Sequence, residues 1–229
     1  MSSTERKSAD RSKPLFLGNQ LALDFLNTRP LMAGQLTELL PDFAALLRWF
    51  QEADLLNSRE AAALGRKWAG SPRARQVTEA MRQWRERLRK QILAWERGDS
   101  LRRSILDELN TLMAAHPMRT RIRTKGKGYL KELWFEPCVP EDLLAPLAQS
   151  AASLFADLDR KRVRKCPTCV LHFYDTSKKG TRRWCSMHLC GNRLKVAAYA
   201  ARRRKFTHRG WLPGGLPSRP TSTNAIRSE

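Results

Sequence analysis

Four of the chain's five cysteines lie within 25 residues, in the stretch CPTCVLHFYDTSKKGTRRWCSMHLC. They form two pairs, Cys166-x2-Cys169 and Cys185-x4-Cys190, with fifteen residues between the pairs. Four thiolates complete the tetrahedral shell of Zn²⁺ and leave no position open for a substrate. The spacing therefore predicts one structural zinc ion per chain. A segment this short needs such an ion because it cannot build a large core of its own.

The residues alone leave three alternatives to this zinc site. A redox Cys-x-x-Cys would not require the second pair, and no thioredoxin-like βαβ pattern surrounds the first pair. An iron–sulfur cluster takes the same number of thiolates, but the surroundings here are hydrophilic and basic. His188 could replace Cys190 as the fourth ligand. We favour Cys190 because the turn that opens a helix can bridge a Cys-x4-Cys pair, with Gly191 relieving crowding.

Basic residues are concentrated on the same segment. Residues 160–209 hold sixteen Lys or Arg against one acid, Asp175, whereas the other 179 residues share only +6 of the formal net charge of +21. Such a polycation attracts polyanions, nucleic acid first; a merely solvated surface is the alternative. The candidate nucleic-acid contacts are Lys178, Lys179, Arg182 and Arg183, at the expected tip of a hairpin, and Arg193, Lys195, Arg202, Arg203 and Arg204, on a following helix.

The residues before this segment predict a mostly helical domain. Apolar residues recur at helical spacing after Pro41-Asp42, after Asn57, from Ser100 to His116 and from Leu143 to Leu158. The clearest helix begins at Ser71-Pro72 and stops at Gly98, with a stripe of apolar residues: Val77, Met81, Trp84, Leu88 and Trp95. The run TRIRTKGKGYLKELWF (120–135) instead alternates on both sides of Lys-Gly-Lys-Gly, which predicts a β-hairpin.

These patterns predict a mainly α protein with a small β-hairpin, in the α+β class. We expect a disordered tail over 1–14, a helical domain with its hairpin over 15–159, a zinc finger over 160–206 and a flexible tail over 207–229. The order knuckle, hairpin, helix makes the finger treble-clef-like. The sequence contains no run of 18 apolar residues, so it predicts no membrane span. The polar N-terminus does not have the pattern of a signal peptide. A cytoplasmic location follows, where clustered cysteines favour metal over disulfides.

Several other side chains have two interpretations. Asp24, Asn27 and Thr28 are polar residues in an apolar segment, LALDFLNT. They either cap a helix and satisfy buried backbone groups or line a pocket for a small-molecule effector. We expect His172 on the surface of the finger, Cys138 buried as a small hydrophobe, and Trp184 as a shield for the metal site rather than a base-stacking platform.

Short motifs around the cysteines are specific: Cys-Pro-x-Cys, then Phe173-Tyr174-Asp175-Thr176-Ser177, Arg183-Trp184-Cys185-Ser186-Met187 and Cys190-Gly191-Asn192-Arg193. Over about residues 160–205 the chain resembles the CGNR zinc finger of bacteria. That resemblance implies that the four cysteines are zinc ligands and that the finger binds DNA.

The opening of the helical domain is also similar to a known family. Gly18 followed by Leu-Asp-Phe-Leu-Asn-Thr (23–28) resembles the start of the ABATE domain, which precedes the CGNR finger in proteins assigned to stress-induced transcriptional regulation. The usual opening has a Gly-His-x-Ala-Leu-Asp character. This chain reads Gly-Asn-Gln-Leu-Ala-Leu-Asp, so no role that rests on the histidine carries over.

Four classes of function follow from these features. The leading one is a DNA-binding transcriptional regulator, not an enzyme, whose helical domain senses a ligand or forms a homodimer. An RNA-binding zinc protein is the second, although RNA modules usually display more aromatics than Phe173, Tyr174 and Trp184. A module that binds an acidic protein is the third. A treble-clef nuclease is the fourth, but no paired histidine or acid completes a second metal site beside His188.

Overall fold

The computed structural model describes residues 16–32 and 35–192 and the isolated positions 196 and 199. The expected tails, 1–14 and 207–229, lie outside the described residues. The described part is mainly α with three small antiparallel strand pairs, so the predicted fold class is confirmed. None of its helices is long and apolar enough to cross a membrane.

Six α-helices make up most of the fold: α1 Leu21–Leu26, α2 Phe43–Glu52, α3 Ser58–Trp68, α4 Pro72–Arg97, α5 Arg103–Ala115 and α6 Leu144–Ala156. The starts of α1 to α4 follow from side chains that accept hydrogen bonds from orphan backbone amides. Asp42 accepts from Ala45 N at 2.7 Å, and Asn57 forms a reciprocal capping box with Glu60. The left-handed conformation of Gly98 ends α4 as its sequence position predicts.

The helix α5 begins three residues later than Ser100 suggests. The buried Gln91 of α4 holds the preceding segment: its Nε2 donates to the Ser100 carbonyl and its Oε1 accepts from Arg102 N, both at 3.4 Å. These bonds occupy the backbone before α5, and no side chain caps the helix. The expectation of a start at Ser100 was therefore wrong, because a tertiary contact overrides the local signal.

The strands pair only with their neighbours in sequence: β1 Leu31–Met32 with β2 Gln35–Leu36, β3 Arg119–Lys125 with β4 Gly128–Trp134, and β5 Val163–Lys165 with β6 His172–Tyr174. The pair β3–β4 is the hairpin predicted over 120–135. Short 3₁₀ helices precede α6 at Pro140–Leu143 and β5 at Arg160–Arg162, and a π-helical turn spans Met187–Gly191.

One apolar core runs through the described residues before the cysteines. Phe25 of α1 lies 5.9 Å from the Trp49 ring and 5.8 Å from the Trp84 ring, and each of these side chains is buried. Burying an aromatic of this size stabilises the fold by about 1.5–3 kcal/mol. Val163 and Tyr174, on the strands that flank the first cysteine pair, pack against the same core. The zinc-finger segment is therefore seated on the helical domain, and the boundary near residue 160 stays a prediction.

Candidate metal centre and basic surface

The four predicted ligands meet in one cluster. The Sγ atoms of Cys166, Cys169, Cys185 and Cys190 all lie within 4.8 Å of one another. Cys169 and Cys185 are 3.3 Å apart, and Cys185 and Cys190 are 3.6 Å apart. Thiolates at about 2.3 Å from a tetrahedral Zn²⁺ are separated by about 3.8 Å, so the cluster fits one Zn²⁺.

Local backbone geometry brings each pair to the cluster. Cys166 and Cys169 lie in the turn between β5 and β6, where Cys166 N donates to the Leu171 carbonyl at 2.7 Å. The turn requires Val170 at φ 60°, a costly conformation for a β-branched residue. Cys190 lies in the π-helical turn, and its amide donates to the Ser186 carbonyl at 3.0 Å.

The surroundings favour Cys190 over His188 as the fourth ligand. Cys190 is buried in the cluster, whereas the His188 side chain is exposed and lies outside it. A side chain at position 191 would collide with Met187. Glycine at this position therefore avoids the crowding that the sequence analysis anticipated.

Each thiol of the cluster affects the ionisation of its neighbours. A hydrogen bond from Cys185 lowers the pKa of the Cys169 thiol to about 5, while burial raises the pKa of Cys190 to about 12. Four thiolates this close repel one another and ionise together only around a positive ion. The donor set therefore suits a structural metal that folds the segment around it.

Trp184 contributes to a small apolar shell around the cysteines. It is half-buried and packs with Leu171 and Phe173 against the cluster. The guanidinium of Arg183 lies over its ring, 5.4 Å from the centroid. This arrangement matches the expected shielding role of Trp184.

The basic loop 175–183 differs from its expected form. The hairpin of this region is β5–β6, whose tip carries the first cysteine pair, so the expectation that Lys178–Arg183 form a hairpin tip was wrong. Instead Asp175, fully buried, closes the loop by accepting from Ser177 N at 2.9 Å and Arg182 N at 2.8 Å. Although burial opposes it, these hydrogen bonds hold the pKa of Asp175 below its usual value.

The candidate cations of this loop have different surroundings. Arg182 donates from Nε to the Trp184 carbonyl at 2.8 Å and from a terminal nitrogen to the Cys185 carbonyl, and it lies 4.7 Å from the centroid of the Phe173 ring. Lys178 and Lys179 are exposed and have no hydrogen-bond or ion-pair partner in the described part of the chain. Arg193, Lys195, Arg202, Arg203 and Arg204 lie outside the described residues.

A basic cleft of about 430 Å³ opens beside the metal centre. Six cations line it: Arg160, Lys161, Arg164, Lys165, Arg182 and Arg183. The single acid in its wall is Glu96 of α4, whose pKa is raised by burial. We did not single out residues 160, 161, 164 and 165 from the sequence. The signal was present in the run Arg-Lys-Arg-Val-Arg-Lys (160–165), whose alternation across β5 was too short to recognise.

Comparison with known families agrees with this architecture. Residues 19–158, more than half of the chain, match the family model of the ABATE domain, described as "Putative stress-induced transcription regulator". The chain belongs to the ABATE family. Residues 162–203 match the CGNR zinc finger, so the resemblance given above is confirmed. No curated protein matches the chain.

The polar side chains at the start of the ABATE domain are all used internally. Asn27 is buried and joins α1 to the finger: its Oδ1 accepts from His172 N and its Nδ2 donates to the His172 carbonyl, each at 2.8 Å. Thr28 Oγ1 donates to the Phe25 carbonyl and accepts from the buried Arg85 at 2.7 Å.

Asp24 holds the segment that enters the ABATE domain. Its Oδ1 accepts from Gly18 N at 2.7 Å, and a Cβ at Gly18 would lie only 2.9 Å from Asp24 N. Burial raises the pKa of Asp24 to about 6. Neither the basic cleft nor the second cavity described below is lined by Asp24, Asn27 or Thr28. Internal contacts thus account for these side chains without a ligand.

Two expectations about single residues were wrong. His172 is buried rather than exposed, because β6 packs between α1 and the metal cluster. Burial and the nearby charges of Arg89 and Lys165 lower the pKa of His172 to about 4. Cys138 is exposed rather than buried. It lines a cavity of about 160 Å³ with His116 and Asp142, whose side chains are 2.8 Å apart.

Proposed function

We propose that this ABATE protein is a DNA-binding transcriptional regulator whose zinc finger holds the nucleic acid. The observation that carries the proposal is the basic surface built around the cysteine cluster. The closed set of four thiol ligands gives that surface a fixed shape, and the family description supports a regulatory role.

The proposed phosphate contacts are the cations that the fold leaves available. Lys178 and Lys179 are exposed on the loop, and the basic cleft beside the metal centre adds Arg160, Lys161 and Arg183. Arginine forks bind phosphate oxygens in pairs, and lysines act as point charges. Arg182 has a supporting role, because its donors already hold the backbone of the second cysteine pair. Arg193, in the first turn of the helix that the sequence predicts after the second cysteine pair, is proposed to reach a base edge.

DNA is preferred to RNA because Tyr199 is the one well-exposed aromatic ring among the described residues of the finger. RNA modules stack unpaired bases on exposed rings. Phe173 is fully buried beneath Arg182, and Trp184 is packed against the metal cluster and covered by Arg183. Tyr174 is half-buried in the core of the ABATE domain.

We infer a binding role rather than a catalytic one for the finger. Within the described residues the cysteine cluster is the only group arranged to hold a metal ion, and its four ligands leave no open coordination position. The exposed His188 has no acidic partner there. The proposed cytoplasmic location suits five cysteines that form no disulfide.

The ABATE domain is proposed to act on the finger through α1. Asn27 clamps the backbone of His172, and Tyr174 N donates to the Gly18 carbonyl at 2.7 Å. A ligand or a second copy of the chain that shifts α1 would therefore move β6, next to the first cysteine pair.

Selection of bound sequences from a random DNA pool, with a matching RNA pool in competition, tests the choice of nucleic acid. The proposal expects enrichment of duplex DNA with a shared motif. Enrichment of RNA, or of neither pool, would contradict it.

A finger variant then tests the surface: Lys178→Gln, Lys179→Gln and Arg183→Gln. A matched control removes three exposed cations from α2 and α3: Arg48→Gln, Arg59→Gln and Arg66→Gln. Each lost phosphate contact makes the slope of log affinity against log salt shallower by about 0.9. The finger variant should flatten the slope by about two to three, and equal slopes in the two variants would refute the assignment.

A further inference from the structure

We propose that the hairpin β3–β4 of the ABATE domain is a second nucleic-acid-binding surface, a cationic ribbon that lies along the phosphate backbone of a duplex. This surface is separate in sequence from the zinc finger. It rests on the proposed function only for the choice of nucleic acid as the polyanion.

Charge is the first observation. The sixteen residues 119–134 hold six Lys or Arg against one acid, Glu132. The rest of 16–159 holds fifteen Lys or Arg and seventeen Asp or Glu, so it is close to neutral. The positive charge of the ABATE domain is thus confined to the hairpin. A charge that served only solubility would be expected to spread over the whole surface of the domain.

The arrangement of these charges is the second observation. Alternate residues of a strand point to the same face, so one face of β3 carries four cations: Arg119, Arg121, Arg123 and Lys125. They span about 20 Å at strand spacing, which equals the axial rise of about six phosphates of one DNA strand. Like charges aligned in this way repel one another, and a polyanion relieves that repulsion.

Exposure is the third observation. Every residue of β3 is exposed, and so are the first four residues of β4. Tyr129 and Ile122, on the opposite face, are 82% and 71% exposed. The ribbon therefore contributes little to the core until Trp134 and Phe135 at its base. A two-stranded hairpin is marginal in water by itself, so a ribbon that packs little against the rest of the described chain beyond its base is suited to a partner.

The ion pairs on the ribbon leave most of its charge available. Glu132 accepts from Arg121 Nε at 2.6 Å and lies 3.4 Å from Arg123. Arg119 and Arg121 lie against the Trp134 ring. Lys125, Lys127 and Lys131 form no ion pair within the described residues. The free cations Lys125 and Lys127 are thus at the tip, and Arg119 and Arg121, which lie against Trp134, are nearer the base, as a projecting arm requires.

A duplex suits this shape better than the other polyanions. A duplex presents a regular row of phosphates along each strand to such a line of cations, and β-ribbons are an established means of DNA binding. An anionic membrane surface is the main alternative, because the opposite face displays apolar side chains. The same chain carries the proposed DNA-binding finger, so we assign the ribbon to a duplex.

The test uses the full zinc-loaded protein and a random-sequence duplex at several salt concentrations. The hairpin variant is Arg123→Gln, Lys125→Gln and Lys127→Gln, in which Arg121 keeps its pair with Glu132. A tip variant with only Lys125→Gln and Lys127→Gln, outside that pair, serves if the triple variant unfolds. The control is the α2–α3 variant, Arg48→Gln, Arg59→Gln and Arg66→Gln, which loses the same charge as the triple variant.

We expect the hairpin variant to bind on the order of tenfold more weakly at moderate salt, with a slope shallower by about two to three. In the tip variant the slope of log affinity against log salt should become shallower by up to about two. Binding by the hairpin variant equal to that of the control would overturn the proposal. So would a selective loss of binding to anionic lipid vesicles with unchanged duplex binding.

The finger variant separates this proposal from the proposed function. If the ribbon binds and the finger does not, only the hairpin variant loses affinity. If the finger binds and the ribbon does not, only the finger variant loses affinity. If both bind, combining the two sets of substitutions should flatten the slope by the sum of their separate effects.

Discussion

Asn27 is the residue on which the junction of finger and ABATE domain most depends. Its amide satisfies both the N–H and the carbonyl of His172 in a buried position. Asn27→Leu keeps a similar volume but leaves both groups without a partner, at a cost of about 1–3 kcal/mol each. We predict a loss of about 2–5 kcal/mol in the free energy of unfolding, measured in urea.

A matched control for this substitution exists on the surface. Asn19 also links the two parts, since its Nδ2 donates to the Tyr174 carbonyl at 2.9 Å, but that bond is exposed. Asn19→Gly, which accepts the left-handed φ of 54° at this position without strain, should cost about 0.5–1 kcal/mol, because water replaces the lost bond. Similar losses in the two variants would show that Asn27 is not a buried clamp.

Asp24 predicts a pH dependence of stability. Burial raises the pKa of its carboxyl from 3.8 to about 6 in the folded protein. Between these values the folded chain binds a proton that the unfolded chain does not, so this group stabilises the fold as pH falls from about 6 to about 4 and loses that contribution as pH rises through 6.

The variant Asp24→Asn removes this titration. Relative to it, the wild-type protein should gain about 3 kcal/mol of unfolding free energy between neutral pH and pH about 4. Groups that both proteins share cancel in the difference. A constant difference across this range would mean that Asp24 is ionised in the folded protein at an ordinary pKa.

At the scale of single elements, the sequence is informative where the signal is local. The stripe from Val77 to Trp95 and the cap at Ser71 predicted α4, and alternation around Gly126 and Gly128 predicted the hairpin. Each signal spans enough residues to show its period. The cysteine spacing likewise predicted a cluster, because ligand geometry fixes which residues must meet.

Elements without a local signal were missed. The strands β5 and β6 have three residues each, too few to show alternation, so the finger hairpin was placed one segment too late. His172 is buried by contacts from α1, which no neighbouring residue in the sequence reveals. Arg182 looked like any surface cation, and only the fold shows that its donors hold the carbonyls of Trp184 and Cys185.

The metal-binding element can be tested by its fourth ligand. Purified protein should carry about one zinc per chain, because four thiolates close one tetrahedral shell. Cys190→Ser should lose most of the zinc and the ordered structure of the finger. His188→Ala should keep both, since its side chain is exposed outside the cluster. The reverse pattern in elemental analysis would make His188 the ligand.

The same variant tests how far the finger supports the ABATE domain. Because Val163 and Tyr174 pack in the main core, Cys190→Ser should retain the helical circular dichroism signal but unfold at lower temperature than His188→Ala. Identical melting would indicate that the two parts are energetically independent.

At the scale of the whole molecule, charge and shape have different origins. The positive charge of the finger is a property of its sequence and remains when the metal is removed. The relative positions of those charges depend on the cysteine cluster, through Asp175, Arg182 and the turn at Cys166. Charge alone supports binding to any duplex, whereas recognition of one sequence requires fixed geometry.

The central claim is that a zinc-organised finger recognises DNA, and the most direct measurement is the ratio of affinities for a selected duplex and a random duplex. We predict a ratio on the order of tenfold or more for zinc-loaded protein, close to one after chelation, and restored when zinc is returned. Random binding should persist throughout. A ratio that survives loss of zinc, or a ratio of one in the zinc-loaded protein, would contradict the account.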